Sequence, residues 1–204
     1  MTGHYSFNRR ALMLGGLSLV AISAPGPAFA LSADEAKAHV QVTIDELRAL
    51  LSQSGTGTSR APALRRIMET RANMPLIARF SAGRAWRDMN DGQQQRFREA
   101  FARFVSISYS RRFDEFSGDP KIALGDTVDA GKKGILVKTG LSSGDGQPIA
   151  VEWLVSDRGG RIEIIDIVVE GISLATTQRE EIGAMLDKRN GDVEALISDL
   201  GASS

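Results

Sequence analysis

The chain of 204 residues has no cysteine and only two histidines. Without cysteine there are no disulfide staples and no thiolate metal sites, so stability must come from a packed core. His4 lies in an N-terminal segment set aside below. His39 stands alone on a predicted helix, where a surface position is expected rather than a metal ligand or general base. An excess of one charge is also missing, because 25 Lys and Arg balance 25 Asp and Glu. That argues against nucleic acid as the main partner, since phosphate binding needs a net basic face. "DAGKKG" has Gly-Lys but neither the Walker spacing nor its Ser/Thr, and no dinucleotide fingerprint follows a strand. Ser173 in "EGISL" lacks the second glycine of a nucleophile elbow. No metal site, cofactor or catalytic residue is expected.

What is present begins with an address. Arg9-Arg10, the apolar run "ALMLGGLSLVAI" and the small-x-small step Ala28-Phe29-Ala30 have the layout of an export signal. The run is shorter than the roughly 20 residues of a membrane span. "NRRALM" is similar to a twin-arginine signal, with Leu12 where Phe is common, so the Sec and Tat routes both stay open. Residues 1–30 are therefore expected to be removed near Ala30, with an uncleaved anchor as the competing reading. Residues 31–204 are expected to form one domain.

Helical signals fill the first half of that domain. Ser32 and Glu35 form a capping box ahead of Val40, Ile44, Leu47 and Leu51 at helical spacing. "SGTGTSR" reads as a flexible loop, and Pro62 suits the start of a helix bearing Leu64, Ile67 and Met68. Asn73 can cap a short helix that Gly83 ends. Asn90 and Gln93 then open the longest helix, predicted from Asp91 to Phe116, with Phe97, Phe101, Phe104, Val105, Tyr109 and Phe113 along one stripe. Such a stripe suits a core, and suits a ligand site if it faces a cavity.

After Pro120 the period changes to two. "KIALGDTV", "GILVKTGL", "QPIAVEWLVS" and "RIEIIDIVVE" read as four strands joined by Gly- and Asp-rich turns, an antiparallel meander. In the fourth, strict alternation puts Ile162, Ile164 and Val168 on one face and Ile165, Ile167 and Val169 on the other. Helices at 174–188 and from Asp192 close the chain. The order predicts an α+β domain, with a helical layer packed on a twisted four-stranded antiparallel meander. Asp166 is the acid set inside the most apolar segment. It could act as an acid or base with a raised pKa, or pair with an Arg, or accept backbone donors at the strand–helix junction.

The segments "ARFSAGRAWRDMNDGQQQRFREAFARFVSISYSRRFDEF" and "IAVEWLVSDRGGRIEIIDIVVEGISLATTQREEIGAMLDKRNGDVEALISDL" resemble the MlaC family of periplasmic phospholipid carriers, also called toluene-tolerance proteins. Ala82-Gly83 and Trp86, then Gln95-Arg96, Ala100, Phe101 and Tyr109, then Asp166-Ile167, Glu170-Gly171-Ile172-Ser173 and Arg179 match its pattern. Ile162, Ile165 and Ile182 stand where aromatics are frequent, and Asn73 where Asp is. The resemblance implies a monomer in the periplasm whose helices and sheet enclose acyl chains in an apolar cavity. On this sequence the walls would be Phe101, Phe104, Tyr109, Phe113, Val151, Trp153, Ile165, Ile167 and Val169. It further implies a phospholipid ligand passed between an outer-membrane lipoprotein/porin complex and an inner-membrane ABC transporter, maintaining lipid asymmetry without catalysis. A hopanoid-like lipid is the alternative within the family. Outside it stand a small periplasmic enzyme using Asp166 and an adaptor whose pocket is filled by its own side chains. Arg111, Arg112 and Arg179 would suit a cavity exit that attracts phosphate, or a plain surface.

Overall fold

The first helix of the computed structural model, which describes residues 31–53, 55, 57–113, 121–142 and 148–202, opens with its capping box closed in both directions. Ser32 Oγ accepts from Glu35 N, and Glu35 accepts from Ser32 N at 2.9 Å, so two otherwise orphaned donors of α1 (Ala33–Ser52) are satisfied. Ala36, Val40 and Ile44 face inward from it and are fully enclosed. His39 is half-buried, with Nε2 2.9 Å from the Arg71 carbonyl oxygen. A carbonyl only accepts, so Nε2 carries the proton and the ring ties the first two helices together. That corrects the surface reading of His39.

Much of the expected flexible loop is instead a 3-10 turn, Gly57–Arg60. Arg60 Nη2 donates to the Leu51 and Gln53 carbonyls at 3.3 and 3.2 Å, closing the end of α1. Helix α2 (Ala61–Arg71) follows with Pro62 in its first turn, where no backbone donor is needed. Helix α3 (Met74–Ala82) is capped by Asn73, whose Oδ1 accepts from Leu76 N at 2.9 Å. Helix α4 (Asp91–Phe113) has a second reciprocal cap, Asn90 with Gln93, both bonds 2.9 Å. Phe116 lies outside the described residues.

The described strands are β1 (Lys121–Asp129), β2 (Ile135–Ser142), β3 (Ile149–Ser156), β4 (Glu163–Val169) and β5 (Ile172–Ser173), paired antiparallel in chain order. The sheet thus has five strands rather than four. The fifth exists because Glu170-Gly171 is a two-residue hairpin turn, with φ of +50° and +79°, the positive pair that primed turns require. Glu170 is an unusual occupant of that region, and two bonds to one residue hold it there. Its N–H donates to the Ala150 carbonyl at 2.9 Å, while its carboxylate accepts from Ala150 N. Gly134 has an equally specific reason. A Cβ there would fall 2.0 Å from the Val155 carbonyl oxygen, so only glycine lets β2 enter the sheet. Helices α5 (Leu174–Asp187) and α6 (Val193–Ala202) complete the chain, with Asp192 Oδ1 accepting from Ala195 N at 3.1 Å.

A β-bulge decides which side chains of β4 share a face. Trp153 pairs with Ile167, Leu154 with Asp166, but Val155 pairs with Ile164, leaving Ile165 as the extra residue. Ile164, Ile167 and Val169 therefore look the same way as Val151, Trp153 and Val155. Strict alternation assigned Ile164 to the opposite face, and the bulge corrects it.

Two apolar clusters result. One lies among α3, α4, α5 and α6, around Phe97, Phe101, Ile182, Leu196 and Leu200, each no more than 1% exposed. The other joins α1 to the sheet through Val40, Ile44, Val137, Val155 and Ile164. Burying one such side chain fully is worth about 1.5–3 kcal/mol. Among the described residues, no helix is long and apolar enough to cross a membrane.

Candidate functional site

Between the helices and one face of the sheet lies a cavity of about 430 Å³. Helix α1 contributes Leu47 and Leu51, α2 Leu64, Ile67 and Met68, and α4 Phe101, Val105, Tyr109 and Phe113. Leu141, Val151, Trp153, Ile164, Ile167 and Val169 form the sheet wall. The lining is almost wholly hydrocarbon. Leu64 is 3% exposed and Val151 8%, while Arg112 in the same lining is exposed, so the cavity has a buried floor and an open side.

The few polar atoms in the wall are mostly engaged with one another. Trp153 Nε1 donates to Thr139 Oγ1 at 3.0 Å, and that hydroxyl donates onward to the Val151 carbonyl at 3.0 Å. Both groups are thereby satisfied without a ligand. Arg71 is turned onto Glu46 by two bonds of 2.9 and 2.5 Å. The Arg71 hydrogen bonds hold the Glu46 carboxyl below the usual carboxylate range, and Glu46 in turn raises Arg71. Asp166 Oδ1 accepts from Ile167 N at 2.8 Å and Ala175 N at 3.0 Å, and Oδ2 accepts from Ser173 Oγ at 2.6 Å. Of the open readings for this carboxylate, the one realised is backbone capping at the strand–helix junction.

A different acid is the more enclosed. Glu163, at the start of β4, is 4% exposed, and Arg161 Nε and Asn73 Nδ2 each donate to it at 2.6 Å. Asn73 thus caps α3 with its oxygen and donates to a buried carboxylate with its nitrogen, a bond that Asp could not make while ionised, and Arg161 supplies the opposite charge. Sequence reasoning singled out Asp166 and made no reading of Glu163, whose burial depends on partners from α3 and the turn before β4.

The predicted wall residues divide. Phe101, Tyr109, Phe113, Val151, Trp153, Ile167 and Val169 line the cavity together. Phe104 does not: it packs into the cluster among the helices at 8% exposed. Ile165 does not either, because it is the bulge residue. Sequence reasoning missed the α1 and α2 side, although the spacing of Leu47, Leu51, Leu64, Ile67 and Met68 had marked apolar faces there. It also missed Gln178. Of the three arginines, Arg112 lines the cavity with its guanidinium 5.2 Å from the Tyr109 ring centre. Arg111 is exposed and outside the lining. Arg179 lies 5.0 Å from the Phe80 ring centre and donates to the Phe80 carbonyl at 3.4 Å, covering the end of α3.

Fold and cavity together define a helix-on-sheet domain with a hydrocarbon-lined pocket between its layers. The chain belongs to the MlaC protein family, which it matches over residues 37–202. Its fold is similar to that of a phospholipid-binding protein from Ralstonia solanacearum, solved in complex with a phospholipid. The two share 20% sequence identity at a TM-score of 0.69, over 82% of this chain and 96% of that one. No curated protein sequence matches at a significant level.

Proposed function

We propose that this protein is a phospholipid carrier that holds acyl chain in the cavity between α1, α2, α4 and the sheet. The observation that carries the reading is the cavity: set between the helices and the sheet, lined by hydrocarbon, with the Trp153 and Thr139 donors paired inside the wall. The phospholipid complex of the structurally similar Ralstonia solanacearum protein supports the same cargo. Two acyl chains hold about 30 methylenes, each worth about 0.8 kcal/mol on leaving water. A free lipid in water therefore costs on the order of 20 kcal/mol or more. A carrier must nearly match a bilayer without exceeding it, so that loading and unloading both proceed.

The finer reading follows the family. Residues 1–30 direct export and are removed near Ala30, and residues 31–204 shuttle in the periplasm between an outer-membrane lipoprotein/porin complex and an inner-membrane ABC transporter. The transporter supplies any energy, and the carrier does no catalysis. Engagement of both Asp166 oxygens by three donors favours a structural role over proton transfer.

The test is direct. The full-length chain is expressed, purified from the exported fraction without detergent, and extracted with organic solvent for mass spectrometry. Phospholipid in the extract, uptake from labelled liposomes and a protein N-terminus at Leu31 are expected. A lipid-free protein that also takes nothing from liposomes would sink the carrier reading.

A further inference from the structure

The backbone nitrogen just ahead of α1 is tied to a residue far along the chain. Leu31 N donates to Asp157 Oδ2 at 3.2 Å, across 126 residues. The Leu31 side chain is half-buried and packs against the cluster that joins α1 to the sheet. Position 31 is therefore held at two points, by its nitrogen and by its side chain. Asp157 lies in the turn from β3 to β4, and among the described residues its carboxylate makes no other hydrogen bond or ion pair. A carboxylate can accept several donors, so one amide leaves it under-used. The charged neighbours are committed elsewhere. Glu35 is bonded to Ser32, Asp129 accepts from Gly131 N at 2.7 Å, and Arg158 donates to the Lys132 carbonyl at 3.0 Å. Lys132 shares the recess around Leu31 with Asp129, Asp157 and Arg158, and Asp34 stands in the first turn of α1.

We infer that Asp157 is the docking site for the α-ammonium that processing creates at Leu31. The inference rests on the removal of residues 1–30 proposed above, and not on the lipid cargo. Hydrolysis of the Ala30–Leu31 peptide bond gives the oxygen of water to the Ala30 carbonyl carbon, which leaves as a carboxylate. Both protons of that water go to Leu31 N. An amide with one proton thus becomes an ammonium with three, and its bond to Asp157 becomes charge-assisted. A positive charge just ahead of a helix is unfavourable by itself, because that end of α1 is the positive end of its dipole. Asp157 offsets this, together with Asp34 and Glu35 in the first turn. A chain cut at a neighbouring bond would not bring the charge to this carboxylate, so the site is matched to one cleavage position. It fastens the start of α1, while Leu47 and Leu51 near the other end of the same helix line the cavity.

The full-length chain is expressed and recovered from the exported fraction, and its N-terminus is read by mass spectrometry. Part of the sample is acetylated at the α-amine at about pH 6.5, where lysines, with an ordinary pKa of about 10.4, stay protonated and are spared. Acetylation restores an amide N–H and removes only the charge. At that pH the acetylated form should melt about 1–4 °C lower, the shift expected of a partly solvated ion pair in a domain of this size. An amine that gains a carboxylate partner has its pKa raised above the ordinary value of about 7.7–8.0. The gap is therefore full below that value and lost as pH rises through the folded one, so the two melting points should converge by about pH 10. Asp157→Asn should lower the melting point of the free-amine form and leave acetylation without a destabilising effect, with lipid uptake unchanged. No gap at about pH 6.5, or a gap of full size in Asp157→Asn, overturns the inference. Should that variant not fold, the gap in the parent and its closure at high pH decide alone. A Leu31 N-terminus without the gap removes the docking site and leaves the cleavage reading standing, whereas an N-terminus at another residue removes both.

Discussion

The two apolar regions of this molecule are made from the same kinds of side chain and reach opposite ends. Among α3, α4, α5 and α6 the aromatic rings fill one another's space: Phe97 stacks on Phe101 with centroids 5.9 Å apart, and Trp86 meets Phe97 edge-on at 6.3 Å. Between α1, α2 and the sheet, comparable hydrocarbon surrounds an unfilled space. One helix serves both. Phe97 and Phe104 enter the closed cluster, Phe101 and Tyr109 touch both regions, and Phe113 faces the cavity. Composition does not separate a core from a chamber. What separates them is whether the opposing layer can approach, and here the sheet stays away from α4, while α2 and α6 pack directly on it.

The largest expected effect breaks the closed side. Phe97→Ala removes a fully enclosed ring and should cost about 3–5 kcal/mol, read as a lower denaturant midpoint. A loss below about 1 kcal/mol would mean that this cluster is not close-packed. The converse change sharpens the contrast: Val151→Phe adds volume to a wall that has room for it. Overpacking a filled core costs about 1–3 kcal/mol. Here stability should fall by less than that range, while phospholipid recovered in the solvent extract drops several-fold. Unchanged lipid content would place the cargo elsewhere.

Asp166→Asn is a smaller perturbation at the seam between the regions. One oxygen can still accept from Ile167 N and Ala175 N, but the charge that strengthens those bonds is gone. A loss of about 1–2 kcal/mol is expected, with liposome uptake unaltered. Reduced uptake at full stability would give this carboxylate a part in gating. The smallest effect concerns Glu46–Arg71, whose side chains are 36% and 25% exposed. A partly solvated pair of this kind is worth about 0.2–1 kcal/mol. Because the Glu46 pKa is lowered on folding, its contribution is present above the ordinary value of 4.5 and is lost as pH falls below that. Glu46→Gln should therefore be slightly less stable than the parent at neutral pH, and the gap should close on acidification. A gap that widened in acid would contradict the assignment.

Local chemistry was the legible part of the sequence. Ser32 with Glu35, Asn90 with Gln93, Asn73 and Asp192 all cap where their residue types predict, since a cap is decided within four residues of chain. The alternation of Val151, Trp153 and Val155 was equally readable. What failed depends on partners remote in sequence. The bulge at Ile165 answers to the register of β3, and β5 exists only because Glu170 is held by Ala150. Phe104 and Tyr109 sit on one stripe, and nothing within that stripe says which of them meets a packed helix and which an open space. The cavity residues of α1 and α2 were visible as apolar faces without any sign of what they would face.

The bond from Trp153 to Thr139 has one more consequence. The chain has two tryptophans, and they fall one to each region, Trp86 beside the closed cluster and Trp153 in the cavity wall. With its indole N–H fastened to Thr139, Trp153 cannot swing into the cavity, so its emission should follow the polarity of the space beside it rather than its own rotation. Replacing Trp86 with Phe would leave a single tryptophan, set in the cavity wall, as an optical gauge of whether the space is full.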